Sequence, residues 1–351
     1  MLPAEAGVFS PLLGAYLSTS GLGRLLKLSP LASVIIPAYN AGLFLEATLD
    51  SVFQQTLADF ELIVVDDGST DSTLELLRKH SDSRLRVVRQ PNRGPSAATN
   101  TGLGLARGVY VALLDHDDLW EKTKLARHAA FMEEHPEVDL TFSWSRLVDE
   151  SGRRLALHTR HWRGPLSFQQ MLLDFVIGNT SAVVMRRSAL DHIGWFDPEL
   201  SRYYDMDLFL RVALLRPNNV HAIPEELTLY RRHQGQMSSD WRRMARDWDR
   251  VLERMCAQAP QEVAAIQPQA SANMYRYFAC LAYERQEFSE ACRLLRQGLH
   301  YSPASFLADL RNWKLGAASL AGLVLPNAIR RRLERLAGVR VSKPATGGQT
   351  V

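Results

Sequence analysis

An apolar run, Val109-Tyr110-Val111-Ala112-Leu113-Leu114, ends in Asp115-His116-Asp117-Asp118, three carboxylates within four residues. Crowded carboxylates repel one another, and each resists ionisation unless a cation sits among them. A hard divalent ion such as Mn²⁺ or Mg²⁺ takes oxygen ligands and completes its shell with water and substrate phosphates. In an open α/β sheet, ligands lie outside the carboxyl ends of the strands. The run therefore reads as a buried strand that delivers acids to a metal–diphosphate site. The same four residues also suit a turn capping the next helix, and the choice depends on the rest of the chain.

Three earlier strands prepare the ground. Ser33 to Pro37 is apolar and β-rich, as expected of a strand covered on both faces. Asn40 is placed to cap a helix carrying Leu45, Leu49, Val52 and Phe53 at helical spacing. Glu61 to Val65 is a second strand, running into Asp66-Asp67-Gly68-Ser69 and so giving a second acidic strand end. Ser72 and Glu75 have capping-box spacing. Leu85 to Val88 is a third strand, followed by the loop Asn92–Pro95 and a small-residue helix. Strand starts 24 to 28 residues apart, alternating with helical patterns, imply βαβ units and a mostly parallel central sheet of α/β class. Neither a Gly-x-Gly-x-x-Gly turn nor a Gly-Lys-Ser/Thr phosphate loop is present. Asp118 is expected to cap a helix beginning near Lys122.

In this order the segments resemble the family-2 glycosyltransferases of GT-A fold, from about Ala32 to about Ser239. Val34 to Asn40 is similar to the family's first strand and nucleoside loop. Glu61 to Ser69 resembles its second strand, Asn92-Arg93-Gly94 with Ala98 to Gly102 its N-x-G and A-R-N-x-G segments, with Thr99 where Arg is frequent. Leu114 to Asp118 resembles its L-D-x-D-D signature. The resemblance implies that Pro37, Ala38, Tyr39, Asp66, Asp67, Asn92, Gly94, Asn100, Asp115, Asp117 and Arg232 hold a nucleotide-diphosphate sugar, a UDP-sugar above others. Asp117 and His233 would ligate the Mn²⁺ or Mg²⁺ cofactor. Tyr203 to Arg211 resembles the E-D-x-D-L-x-L-R helix start, making Asp205 the general base, Asp207 its structural partner and Tyr204 a departure from Glu. Tyr230 to His233 with Ser239 resembles the basic closing loop. Trp195 fits either a stacking surface for an acceptor sugar or core packing. With one base opposite the diphosphate, displacement inverts the anomeric centre.

The implied activity is transfer of a sugar to a hydroxyl of a glycan or lipid-linked acceptor, in cell-surface polysaccharide assembly. Two alternatives stand beside it: a catalytically silent sugar-nucleotide-binding or scaffold protein, and a sugar nucleotidyltransferase. The latter class carries a Gly-rich, basic phosphate loop near the first strand, which Val34 to Gly42 lacks.

The 351 residues, 46% hydrophobic, suffice for one large domain and an appendage. A net charge of +3 gives no basis for nucleic-acid binding. Cys256, Cys280 and Cys292 have no metal-ligand spacing and point to a reducing, cytoplasmic setting. No apolar run reaches the ~18–20 residues of a membrane span. The expected divisions are an N-terminal arm (1–31), a GT-A domain (32–240) and a helical C-terminal extension (241–351). Tyr275 to His300 reads as a helix pair. Leu315 to Leu325, followed by Arg330, Arg331, Arg332, Arg335, Arg340 and Lys343, fits either a peripheral contact with anionic membrane lipid or a packed helix with a solvated basic face.

Overall fold

The computed structural model describes residues 29–233, 235–236 and 240–326. A short helix expected near Leu12–Leu17 and the arginine-rich tail beyond residue 326 lie outside them. The first half alternates strand and helix: β1 (Ala32–Ala38), α1 (Leu45–Phe53), β2 (Phe60–Asp66), α2 (Thr73–Lys79), β3 (Leu85–Arg89), α3 (Pro95–Leu105) and β4 (Tyr110–Leu113). The second half is less regular. It comprises β5 (Leu119–Trp120), α4 (Lys124–Glu134), β6 (Leu140–Val148), β7 (Arg154–His158), β8 (Gly164–Pro165), α5 (Phe168–Leu173), a 3₁₀ turn at Thr180–Ala182, β9 (Val183–Arg186), α6 (Arg187–Ile193), α7 (Tyr204–Leu215) and β10 (Val220–Arg231). Helices α8 (Trp241–Gln258), α9 (Pro260–Ala264), α10 (Gln267–Glu284), α11 (Phe288–Tyr301), α12 (Pro303–Ala308) and α13 (Leu310–Val324) follow.

The strands form one sheet of order β3-β2-β1-β4-β9-β6-β10-β5, with β7 on β6 and β8 on β10. β3, β2, β1 and β4 are parallel, and β9 runs antiparallel between β4 and β6. β6 and β10 are again parallel, and β10 absorbs two register shifts, between Ile223 and Glu226 and between Glu226 and Thr228.

Side chains alternate across the strands. Val34, Ile36, Leu62, Val64 and Ala112 face a core closed by α1 and α4 through Leu45, Leu49, Leu125 and Met132. Ile35, Val111, Phe142 and Met185 face the other layer, which α5, α6 and α7 cover. That second core does not stop at α7. Tyr203 and Phe209 share it with Trp248 of α8, Phe278 of α10 and Leu294 of α11, all buried. The α10–α11 pair is the expected helix pair, with α10 starting at Gln267 rather than Tyr275.

Three expected caps are replaced by other contacts. Asn40 has φ +49° and its Oδ1 accepts from Thr70 N–H, tying the β1 loop to the β2 loop, and α1 starts beyond it. Ser72 makes no side-chain cap, because Asp71 takes that place, accepting from Thr73 N–H and Gly42 N–H. Asp118 caps nothing: α4 begins at Lys124 after Thr123, and the Asp118 carboxylate is buried in the sheet layer.

Candidate active site

The carboxyl ends of β1, β2 and β4 open into a cleft of about 970 Å³. At one end of the cleft β1 stops at Ala38, and the Tyr39 ring just beyond it stands half exposed in the wall. Asp67 follows β2. Its Oδ1 accepts from Gln90 Nε2 (2.8 Å) and Arg93 N–H (2.9 Å), and its Oδ2 from Gly94 N–H (2.8 Å). One carboxylate thus folds the Asn92–Gly94 loop against the strand end, while Oδ2 keeps a lone pair for a ligand donor. Gly68 makes this approach possible: it has φ +78°, and a Cβ there would lie 2.8 Å from Asn92 N.

The acids after β4 occupy three environments. Asp115 lies in the cleft floor, its N–H donating to Ser181 Oγ (3.0 Å). Burial, with the charges of Asp117 and Asp205, pushes its carboxyl up to about 8. Asp117 is partly buried, but Nε2 of His233 lies 2.8 Å from its Oδ2, and that contact, with the charges of His116 and His233, holds it below the usual carboxylate range. Asp118 turns away from the cleft. Its Oδ2 accepts from Ser181 Oγ–H (2.6 Å) and its Oδ1 from Arg231 N–H (2.8 Å), latching the acidic turn to the end of β10. Arg231 completes the latch through Nε to Asp117 O (2.6 Å), with its guanidinium over the Phe44 ring.

A buried lysine holds the layer beneath. Lys124 Nζ lies 3.0 Å from Ala182 O, 3.1 Å from Ser143 Oγ and Thr228 Oγ1, and 3.4 Å from His128 Nε2. It thereby fixes the Thr180–Ala182 turn that carries Ser181, and burial drives its pKa well below 10.5.

Across the cleft, Asp205 opens α7. Met206 N–H and Thr180 Oγ–H donate to it at 2.8 and 3.3 Å, yet burial dominates and raises its pKa. Tyr204 packs its ring edge-on against Phe196 and also lines the cleft. Asp207 is clamped by Arg211 and by Arg254 of α8. Asp247 of α8 accepts from Ser201 N–H, Ser201 Oγ–H and Arg202 N–H, and so shapes the loop before α7. Tyr203, at φ +53°, is held in the left-handed region with its hydroxyl on Met274 Sδ.

Pro37, Ala38, Tyr39, Asp67, Asn92, Gly94, Asp115, Asp117, Asp205, Arg232 and His233 therefore share one cleft. Two expected members do not. Asp66 is buried between strands, accepting from Ser69 N–H and pairing with Arg89. Asn100 bonds Phe196 through both amide ends and braces α3. Trp195 is partly exposed away from the cleft, against Gly104. Lys124, Ser181 and the α8 carboxylate Asp247 are supporting residues for which the sequence carries no local signal.

Asp117 and His233 offer a cation one oxygen and one nitrogen. Among the described residues no three His, Cys, Asp or Glu side chains form a ready cage. That donor set suits a hard ion that takes its remaining ligands from phosphate and water.

The family model for glycosyl transferase family 2 matches residues 33–194. TuaG of Bacillus subtilis (strain 168), a glycosyltransferase assigned to teichuronic acid biosynthesis, is 32% identical over 233 residues, covering 64% of this chain and 90% of its own. The chain belongs to glycosyltransferase family 2. Other curated relatives are longer, and this glycosyltransferase spans 28% of one and 24% of another. Among solved structures, Staphylococcus aureus TarS 1–349 in complex with UDP superposes with a TM-score of 0.51 at 22% identity, covering 83% of this chain and 91% of that one. The mannosyltransferase PcManGT from Pyrobaculum calidifontis, in complex with GDP-Man and Mn²⁺, gives 0.51 at 21% identity, covering 88% and 84%. The glycosyltransferase thus has the GT-A fold with a helical C-terminal region.

Proposed function

We propose that the protein transfers a sugar, with inversion, from a UDP-sugar to a hydroxyl of a glycan or lipid-linked acceptor in polysaccharide assembly. The observation that carries this reading is the convergence on one cleft of Asp67, the Asp117–His233 pair and Asp205, contributed by widely separated segments. In this reading Tyr39 lies against the base, and the spare Oδ2 lone pair of Asp67 accepts its imide N–H. Arg232 faces the diphosphate. Asp117 and His233 would hold Mn²⁺ or Mg²⁺, which when bound neutralises charge developing on the leaving diphosphate. Asp205 takes the acceptor hydroxyl proton as that oxygen attacks the anomeric carbon from the face opposite the diphosphate. Its raised pKa makes it a stronger base than a solvated aspartate. The UDP bound by TarS and the assignment of TuaG support donor and pathway class respectively.

The division at about residue 240 marks where the family resemblance ends, and we take the helices beyond it as a working part of the same catalytic unit. We also propose a peripheral membrane contact through α13. Leu310, Trp313, Leu320 and Val324 fall on one side of it and are 72%, 58%, 60% and 77% exposed, with an arginine-rich sequence to follow. Among the described residues no helix is long and apolar enough to cross a membrane.

Release of nucleotide from UDP-, GDP- and dTDP-sugars, with and without Mn²⁺, tests the enzymatic reading. Metal-dependent release from UDP-sugars is expected, and no release from any donor would refute it.

A further inference from the structure

Past Asp205 the cleft continues along α10, where Asn273, Arg276 and Tyr277 line it together with Arg311 of α13. Positions 273, 276 and 277 share one helix face. Asn273 Nδ2 donates to Leu173 O at 2.9 Å, fixing that face to the opposite wall. The Tyr277 ring is 40% exposed and borders the cleft. Its hydroxyl is pushed up to about 12, first by burial, and feels the charges of Arg232 and Asp205. It therefore remains a neutral hydroxyl near the base at any working pH.

The charges on this wall do not balance. Asp309 gives both carboxylate oxygens to Arg311, at 2.7 to 3.0 Å, and also accepts from the Arg311 N–H. Arg276 Nε stands 3.8 Å from the same carboxylate, too far for a hydrogen bond, and is buried with no other partner. The next acid in the wall, Asp174, is paired with Arg160. Three guanidiniums, of Arg160, Arg276 and Arg311, thus meet two carboxylates, Asp174 and Asp309. A buried Nε without an acceptor is costly, and burial together with the charge of Arg311 pulls the Arg276 pKa down. By contrast Arg254, on the neighbouring helix, is satisfied by Asp197 and Asp207. An arginine that served only to fasten helices would be satisfied in the same way.

We propose that this end of the cleft is an acceptor subsite for a saccharide bearing an anionic group, phosphate or carboxylate, with Tyr277 against the sugar ring and Arg276 and Arg311 receiving the anion. The assignment of this end to the acceptor rests on the reading of Asp205 as base. The aromatic face covers the apolar side of a pyranose, and the guanidinium fork matches either oxyanion. It also makes the helices after residue 240 part of the substrate-binding surface.

Saturation-transfer NMR titrations of the full chain, with UDP and diamagnetic Mg²⁺ present to fill the donor side, test this with methyl glucoside, glucuronate and glucose 6-phosphate. At least one charged sugar is expected to bind about tenfold more tightly than the glucoside, the size of one charge-assisted contact. Arg276→Gln should bring that ratio below about threefold, while Arg276→Lys retains most of it. The charged sugar whose advantage depends on Arg276 identifies the anion as carboxylate or phosphate. Equal affinity for all three sugars in the native protein overturns the proposal without recourse to any variant. So does an advantage that survives in folded Arg276→Gln protein. Nucleotide release from UDP-sugars, measured in separate samples of the same protein without added UDP, reports on the parent reading: its absence would sink transferase activity while leaving the charge selectivity measurable.

Discussion

Asp115 and Asp117 lie two positions apart on one loop, yet they have opposite protonation tendencies. Only Asp117 has His233 beside it, and only Asp115 feels Asp205 from across the cleft. Asp117→Asn keeps the shape and the contact with His233 but removes the charge. Turnover with saturating Mn²⁺ should fall roughly 10²–10³-fold, the scale of losing one electrostatic stabiliser of the leaving group, with an unchanged thermal midpoint. Retention of near-native turnover would remove Asp117 from the metal site. A second residue-scale prediction concerns pH. Burial, and then the charge of Lys124, lowers the pKa of His128 well below 6.5, so the native state keeps this imidazole neutral while the unfolded chain protonates it. Its contribution to stability is intact above pH 6.5 and is lost as pH falls from there towards the depressed folded value. Urea unfolding midpoints should therefore drop between pH 7.5 and 5.5, and less steeply in His128→Gln. At this scale the sequence was partly misleading. Asp66 and Asp67 are chemically equal neighbours, and only the last rung of the ladder, Asp66 opposite Ala38 and Arg89, turns the first acid inward.

Elements were easiest to read where both faces are buried. β1, β2 and β4 are predominantly apolar because solvent reaches neither side of them, and their few polar residues, such as Ser33 and Glu61, bond one another. The acids at the ends of β2 and β4 mark the site because a buried strand gives few places for a carboxylate except its open end. Legibility fails where a side chain answers to a distant element. Lys124 sits in a helix of mixed polarity and looks like a solvated lysine, while its partners come from β6, β10 and the turn before β9. Asp247 is equally silent, one acid among the charged residues of α8. Three hydrogen bonds from the 201–202 loop converge on it, so Asp247→Ala should loosen the approach to α7 and misplace Asp205. Transfer should slow about tenfold or more, a misplacement effect, with the KM for donor unchanged, since the donor loops follow β1, β2, β3, β4 and β10. A rise in donor KM instead would mean that α8 acts on the nucleotide side.

For the molecule as a whole, the division expected at about residue 240 cuts through one continuous core. Trp248 is fully buried in the core that also holds Tyr203 and Phe209. Trp248→Ala should cost about 3–5 kcal/mol, the usual range for a large core aromatic. A chain ending at Asp240 should lose near-UV dichroism and bind hydrophobic dye, rather than behave as a smaller native enzyme. A cooperative unfolding transition in that truncated chain would show that the first 240 residues are self-sufficient. The sequence suggested an appendage because periodicity reveals a helix, whereas what a helix packs against is not written in its own period.

The two slips in β10 set the phase of everything downstream of them. Pro224, Glu225 and Leu227 are supernumerary to the β6 ladder, and the strand resumes its pairing at Thr228. Side chains alternate along a strand, so the loss of any one of these three residues reverses the facing of all that follow. Arg231 would then rotate off the acidic turn, and Arg232 would arrive there instead, with His233 displaced from Asp117. A length change of one residue, in a stretch that does not line the cleft, would thus part His233 from Asp117 while leaving every amino acid of the site in the sequence.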